Sequence, residues 1–246
     1  METLHYCACG VGGVNIVANL AYKLGLLSIM DSQRNELLER IAEGEGLHLD
    51  FKHCISDSGK IARSLAAYAN TDGGSLLIGV RDNGSIAGVS SDEECYMIET
   101  ASMLYTYPVV EYTTINHLVE GKTVLEVVVE KSDKLPHYAP DVRGDMRAFV
   151  RCADKNVLAP PELVRYWRQS KSFVPSDLYY DDVMKLIVDE IRISGFVTKD
   201  FIVHFTGMAV RSVEDVLVNL MHMHVVEIEM DEKSVRFVFT EEYKNQ

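Results

Sequence analysis

The 246-residue chain is 47% apolar and 25% charged, and its formal net charge is −13. That length suits one large domain or two small ones, and the composition is that of a globular protein, not a disordered one. So acidic a chain does not attract phosphates globally, which confines any nucleic-acid surface to a local basic patch.

The five cysteines, Cys7, Cys9, Cys54, Cys95 and Cys152, are odd in number and scattered. They make no disulfide framework and point to a reducing, cytoplasmic compartment. His5, Cys7 and Cys9 lie together but match no zinc spacing. Residues 1–29 carry only Glu2 and Lys23 as charges. The basic start of a secretory signal is missing, and Asn15, Asn19 and Lys23 interrupt the apolar run a spanning helix needs, so no membrane association is expected. Cys9-Gly10-Val11-Gly12-Gly13 lacks the Gly-Lys-Ser/Thr of a phosphate loop, and Asn15 stands where the third glycine of Gly-x-Gly-x-x-Gly belongs. The abrupt change at Met30-Asp31-Ser32 leads us to expect Met30 as the true start, with residues 1–29 a non-native or disordered extension.

Asp31 or Ser32 then caps a helix through Leu37, Leu38 and Ile41, ended by Gly44 and Gly46. Leu47–Lys52 alternates apolar and polar as a half-buried strand does. Ile61, Leu65, Ala66 and Ala69 follow helical spacing, Asp72-Gly73-Gly74 is a tight turn, and Ser75–Val80 is a buried strand. Asp82-Asn83-Gly84-Ser85 is a hairpin turn returning through Ile86 to Val89. A helix follows to about Tyr105. Strands at Glu111–Leu118 and Thr123–Glu130 are joined by Glu120-Gly121-Lys122, and another covers Arg147–Arg151. Pro160-Pro161 opens a helix through Trp167. No repeat or low-complexity stretch is present.

A second unit begins near Pro175. Val183, Leu186, Ile187 and Ile191 stripe one helix, Thr198 caps a short helix with Phe201 and Ile202, and Val210, Val213, Val216, Leu217 and Leu220 mark a third. Val225–Met230 and Val235–Phe239 are strands joined by Asp231–Ser234. Three helices and a hairpin is the order of a winged helix. A DNA reader needs basic residues on its third helix, but here Arg211 is accompanied by Glu214 and Asp215. From Ser176 to Gln246 there are seven Lys/Arg against fourteen Asp/Glu. The balance favours protein contact, including self-association into a homo-oligomer, over DNA contact. His222 and His224, two apart on a helix, do not share a face for a metal.

The most specific series is Glu45-x4-Asp50-Phe51-Lys52, then Ala69-Asn70-Thr71-x-Gly73-Gly74, then Ile78-Gly79-Val80-x-Asp82-x-Gly84-x-Ile86-x-Gly88-Val89. Pro136-His137-Tyr138, Arg151 and Val164-Arg165-Tyr166-Trp167 follow. Over about residues 35–170 this resembles the Schlafen AlbA-type domain, also labelled a divergent AAA or ATP-binding domain. The resemblance implies an α+β fold, a mixed sheet with flanking helices over residues 31–170, and a winged-helix-like domain over residues 176–246. Bacterial members with that second module are labelled transcriptional regulators.

In some Schlafen proteins the acidic residues of this region form a metal-dependent RNA-cleaving site. The resemblance then places Glu45, Asp50 and Asp82 as ligands of magnesium or manganese, with Lys52 beside them as a catalytic group. Asp50 stands where the family usually has Glu, which shortens the arm by about 1.5 Å. The plainer reading makes Asp50 and Lys52 solvated strand residues and Asp82 a turn residue. Asn70, Gly73 and Gly74 either let a backbone approach a nucleotide phosphate or serve only a turn and close packing. With no Walker lysine, ATP hydrolysis has little support. The one basic stretch, Arg143 to Lys171, has seven Lys/Arg against three Asp/Glu. Arg143, Arg147, Arg151, Lys155, Arg165 and Arg168 are therefore candidates for phosphate contact, with Tyr166 and Trp167 as stacking groups. The leading expectation is a nucleic-acid-associated, regulator-like protein. A divalent-metal-dependent nuclease acting on RNA comes second, and a nucleotide-binding or protein-interaction module without catalysis third.

Overall fold

The computed structural model of the chain describes residues 32, 34–89, 92–170 and 181–245. The expectations for residues 1–29, a start at Met30, a cap at Asp31, a boundary near Pro175 and a role for Lys171 lie outside them.

Helix α1 (34–43) buries Leu37 and Ile41, four residues apart and so on one face. Gly44, at φ +88°, ends it. Strand β1 (Leu49–Lys52) leads to helix α2 (Ser58–Asn70), whose first turn is capped by Asp57 accepting from the Gly59 and Lys60 N–H groups. Then come β2 (Gly74–Ile78), α3 (Glu93–Tyr105), β3 (Thr113–Val119) and β4 (Lys122–Val129). The sheet runs β1-β2-β4-β3, with β1 parallel to β2 and the other pairs antiparallel. Glu120 and Gly121, both at positive φ, close the two-residue β3–β4 turn in the handedness such hairpins prefer.

Alternation along the strands divides the sheet between two cores. Leu76, Ile78, Leu125, Val127 and Val129 pack with α2 and α3, whereas Leu49, Phe51, Leu77 and Val124 pack with Leu37 and Ile41 of α1. Glu126 lies among the latter, held by Arg40 (2.8 Å) and His117 (2.7 Å). Burial raises its pKa, but hydrogen bonds from Arg40, Ser75 and His117 outweigh this and keep its carboxyl below the usual range.

Helix α2 has a second sheet on its other side: β5 (Tyr138–Pro140), β6 (Met146–Cys152) and β7 (Lys155–Leu158), antiparallel in that order. The sequence indicated only β6, because three- and four-residue strands are too short to show alternation. The expected return strand from Ile86 to Val89 is reduced to one Val80–Ile86 bridge. Gly79 and Gly88, at φ +95° and +86°, turn the chain out, and the Ala87 and Gly88 N–H groups both go to the Gly79 carbonyl.

Helix α4 (Pro161–Ser170) precedes a helical unit of α5 (Asp182–Ser194), α6 (Lys199–Thr206) and α7 (Val210–His222), with the hairpin β8 (Val226–Met230) and β9 (Val235–Phe239) and a short α8 (Glu241–Lys244). Thr198 caps α6 as expected, and glycines at positive φ, Gly195 and Gly207, end α5 and α6. Val197 pairs with Phe237 through both backbone bonds (2.9 and 2.8 Å). The core gathers Met184, Ile187, Ile191, Ile202, Leu217 and Phe237. Helix α4 serves two cores. Its Trp167 packs with Ala148 and Val150 of β6, while Leu163 and Tyr166 also pack against the helical unit. The whole is an α+β fold. No helix among the described residues is long and apolar enough to cross a membrane.

Gly74 marks the closest approach of α2 to the first sheet. A Cβ there would lie 2.3 Å from the buried Tyr68 ring. Gly74→Ala is therefore expected to cost about 1–3 kcal/mol through overpacking, read as a lowered denaturant midpoint at unchanged slope.

Candidate nucleic-acid interface

Strand β1 points Leu49 and Phe51 toward α1, so Asp50 and Lys52 project to the α2 side. Asp50 is 5% exposed. Lys52 Nζ lies 2.8 Å from Asp50 Oδ2 and also donates to the Phe51 carbonyl (2.7 Å). Glu45, in the loop before β1, accepts the Phe51 N–H at 2.7 Å. Its pKa is raised, first by partial burial and then by a hydrogen bond with Asp50, against the lowering effect of the Phe51 N–H.

Three of the four residues suggested for catalysis, Glu45, Asp50 and Lys52, are thus brought together. Asp82 does not join them in a metal-holding set. It is exposed on a turn that Asn83 organises by accepting from the Ser85 N–H (3.1 Å). Among the described residues no group of three or more His, Cys, Asp or Glu is placed to hold a metal ion. A magnesium or manganese centre needs several oxygens converging on one point. Here one carboxylate is already neutralised by Lys52 and the other shares a hydrogen bond with it, so the donor set expected from Glu45, Asp50 and Asp82 does not fit a hard cation.

The residues suggested for nucleotide binding are engaged in packing and internal hydrogen bonds. Asn70 is buried, donates to the His137 (2.8 Å) and Phe149 (2.9 Å) carbonyls, and accepts the His137 N–H (2.7 Å). All its polar capacity toward β5 and β6 is used internally. The space a Cβ would take at Gly73 is filled by the Val129 carbonyl, 2.7 Å away, and that at Gly74 by Tyr68.

The expected basic face is also redistributed. Arg151 is 4% exposed. It donates to the Gly46 (2.7 Å) and Leu49 (3.3 Å) carbonyls and to Asn156 Oδ1 (3.0 Å), and lies over the Tyr68 ring. It ties β6 to the start of β1. Lys155 pairs with Glu232 (2.7 Å), and Arg165 with Glu214 (3.3 Å) and Asp215. Arg168 donates to the Tyr138 hydroxyl (2.7 Å). Trp167 is core, and Tyr166 is half-buried against His222. Arg143 and Arg147 remain exposed at the β5–β6 turn.

A different set of cations converges. A groove of about 580 Å³ is lined by Asp50 and Lys52 of β1, Lys60, Arg63 and Ser64 of α2, Asp141 and Val142, and Arg151, Lys155 and Asn156 of β6 and β7. Asn156 donates to Ser64 Oγ (2.9 Å) at its floor, and Arg63 donates to the Pro140 carbonyl (3.0 Å) at one wall. Lys60 and Arg63 were missed from the sequence, although their spacing of three puts them on one helical face. Nothing local said that this face lies opposite β7.

Two outcomes follow. Arg151→Ala removes the Arg151 partner of the Gly46 and Leu49 carbonyls and of Asn156 and is expected to lose about 1–3 kcal/mol of stability, measured by denaturant unfolding, so any loss of ligand affinity in it must be read after refolding controls. The raised pKa of Glu45 means the folded chain holds this proton more tightly than the unfolded one. Its contribution is therefore favourable at low pH and is lost as pH rises from the ordinary value of 4.5 through the raised one. Glu45→Gln, which keeps the acceptor for Phe51, should flatten that part of the stability–pH curve, as melting temperatures across the range will report.

The family model described as Schlafen, AlbA_2 matches residues 45–160. No curated protein matches the chain. Among solved structures, the DIP2311 protein of Corynebacterium diphtheriae is 20% identical with a TM-score of 0.41, the match covering 61% of this chain and 34% of that one. This chain thus spans about a third of that relative's length. The N-terminal domain of a RecG-related protein of Nitrosomonas europaea is 22% identical with a TM-score of 0.35, over 51% of this chain and 94% of that one. The family match spans β1 through β7, the two sheets and the helix between them, so that residues 45–160 are similar to the Schlafen, AlbA_2 family.

Proposed function

We propose that the chain is a nucleic-acid-associated, regulator-like protein that holds a phosphate backbone in the groove between β1, α2 and the β6–β7 hairpin. The observation that carries this reading is the convergence of Lys52, Lys60, Arg63 and Lys155 on one groove in a chain of net charge −13. Its volume of about 580 Å³ lies within the roughly 300–1,000 Å³ of ligand pockets. Ser64 and Asn156 add neutral donors of the kind that position phosphates without reading bases. Asp50, Asp141 and Asp154 also line it, which favours a strand threading between charges over a compact anion.

Residues 31–170 and 176–246 form the proposed division of labour: the first binds the nucleic acid, and the second is a winged-helix-like module. Helix α7 carries Glu214 and Asp215 beside Arg211, which supports protein contact by that module more than base reading.

The test is fluorescence anisotropy with labelled single-stranded RNA and DNA homopolymers. Affinity is expected to fall linearly in a log–log plot against salt, and Lys60→Glu with Arg63→Glu should weaken it alike for every sequence. Chelating divalent cations should leave binding unchanged. Binding indifferent to salt and to both substitutions would refute the groove. Magnesium- or manganese-dependent strand cleavage, abolished in Asp82→Asn, would instead establish the nuclease reading.

A further inference from the structure

Two cations of the basic stretch, Lys155 on the groove wall and Arg165 on α4, have anionic partners from the helical unit. Lys155, on the groove wall, is held by Glu232 at the tip of the β8–β9 hairpin. The same tip is fastened by a second contact, Cys152 Sγ to the Met230 carbonyl (3.5 Å). On the neighbouring helix, Arg165 is held by Glu214 and Asp215 of α7. Below them Lys199 joins Glu162, itself 2% exposed, at 2.7 Å and Glu214 at 3.3 Å.

The arrangement has a direction. Lys155 and Arg165 of the basic stretch meet carboxylates of a unit whose sequence, from Ser176 to Gln246, has seven Lys/Arg against fourteen Asp/Glu. At Lys155 the Glu232 carboxylate stands where a phosphate would stand. We propose that the acidic helical unit acts as an internal competitor for the groove, with Glu232 occupying Lys155 so that nucleic-acid binding and docking of the hairpin tip exclude one another. This deepens the function proposed above and rests on it.

The two contacts differ in strength. The Lys155–Glu232 pair is about half exposed on both sides, and such pairs are weak and screened by salt. The Glu162–Lys199–Glu214–Arg165 network is mostly shielded, and removing one member leaves a charge without its partner. The hairpin tip is therefore the part that gives way to a polyanion, while α4 stays on α7. Competition takes place at the rim and does not require the units to separate.

The experiment uses the full chain and a labelled single-stranded RNA homopolymer at constant ionic strength. Glu232→Gln should tighten binding by about 2- to 5-fold, the range of an exposed ion pair. Glu229→Gln removes the same charge from the same hairpin but has no part in the Lys155 pair, and should change affinity by less than Glu232→Gln. Adding the RNA to the unmodified chain should speed hydrogen exchange in the Asp231–Ser234 turn. If the unmodified chain binds, loses affinity in Lys60→Glu with Arg63→Glu, and gains equally or not at all from the two glutamate substitutions, the competition is overturned and the groove stands. If neither the unmodified chain nor Glu232→Gln binds, the groove itself falls and the competition with it.

Discussion

Helix α2 is buried on nearly all sides, and the rest of the domain is arranged around that constraint. From Ile61 to Asn70 only Arg63 keeps more than slight exposure. A helix so enclosed must be narrow on the sides where sheets press on it, and Ala62, Ala66, Ala67 and Ala69 supply that narrowness. It must also have its C-terminal carbonyls and any polar side chains satisfied internally. The Thr71 hydroxyl, which donates to the Ala67 carbonyl (2.8 Å) and accepts the Arg151 N–H (2.9 Å), does both. Asn70 ties the same end to β5 and β6. The second sheet is thus fixed to the first through the end of one helix.

That construction explains why the groove lies where it does. The N-terminal half of α2 emerges from between the sheets, so Lys60 and Arg63 face solvent while Leu65 and Tyr68 do not. Strand β1 passes on one side, and β7 on the other, brought close by Arg151 reaching to Gly46 and Leu49. The buried arginine lines the groove while bonded to the Gly46 and Leu49 carbonyls and Asn156. Its charge is used on carbonyls and a tyrosine ring.

Much of this was legible in the sequence wherever a pattern is local. The α1 stripe, the alternation of β1, the Glu120-Gly121 turn, the Thr198 cap and the order of α5 to β9 all follow from spacing or turn chemistry, and the glycine-rich series identified the domain. The site was legible only in part. Glu45, Asp50 and Lys52 are within eight residues of one another, so their meeting is nearly local. Asp82, Arg151 and Arg165 depend on where distant elements pack, and a count of charges along the chain cannot tell an arginine that faces solvent from one that holds two strands. Gly73 and Gly74 show the same ambiguity. A glycine required for close packing and one required for a ligand look alike until the neighbouring atoms are known.

Helix α4 gives the molecule one further property. Trp167 is part of the core under β6, while Leu163 and Tyr166 seal the core of the helical unit, and Glu162 lies buried beneath Lys199. One ten-residue helix therefore contributes to two hydrophobic interiors, with Leu163 and Tyr166 belonging to both. Opening either interior strips a face of α4 from the other, which couples the stabilities of the two halves despite their separate sheets. Stability gained or lost in one half is felt in the other through a single amphipathic helix.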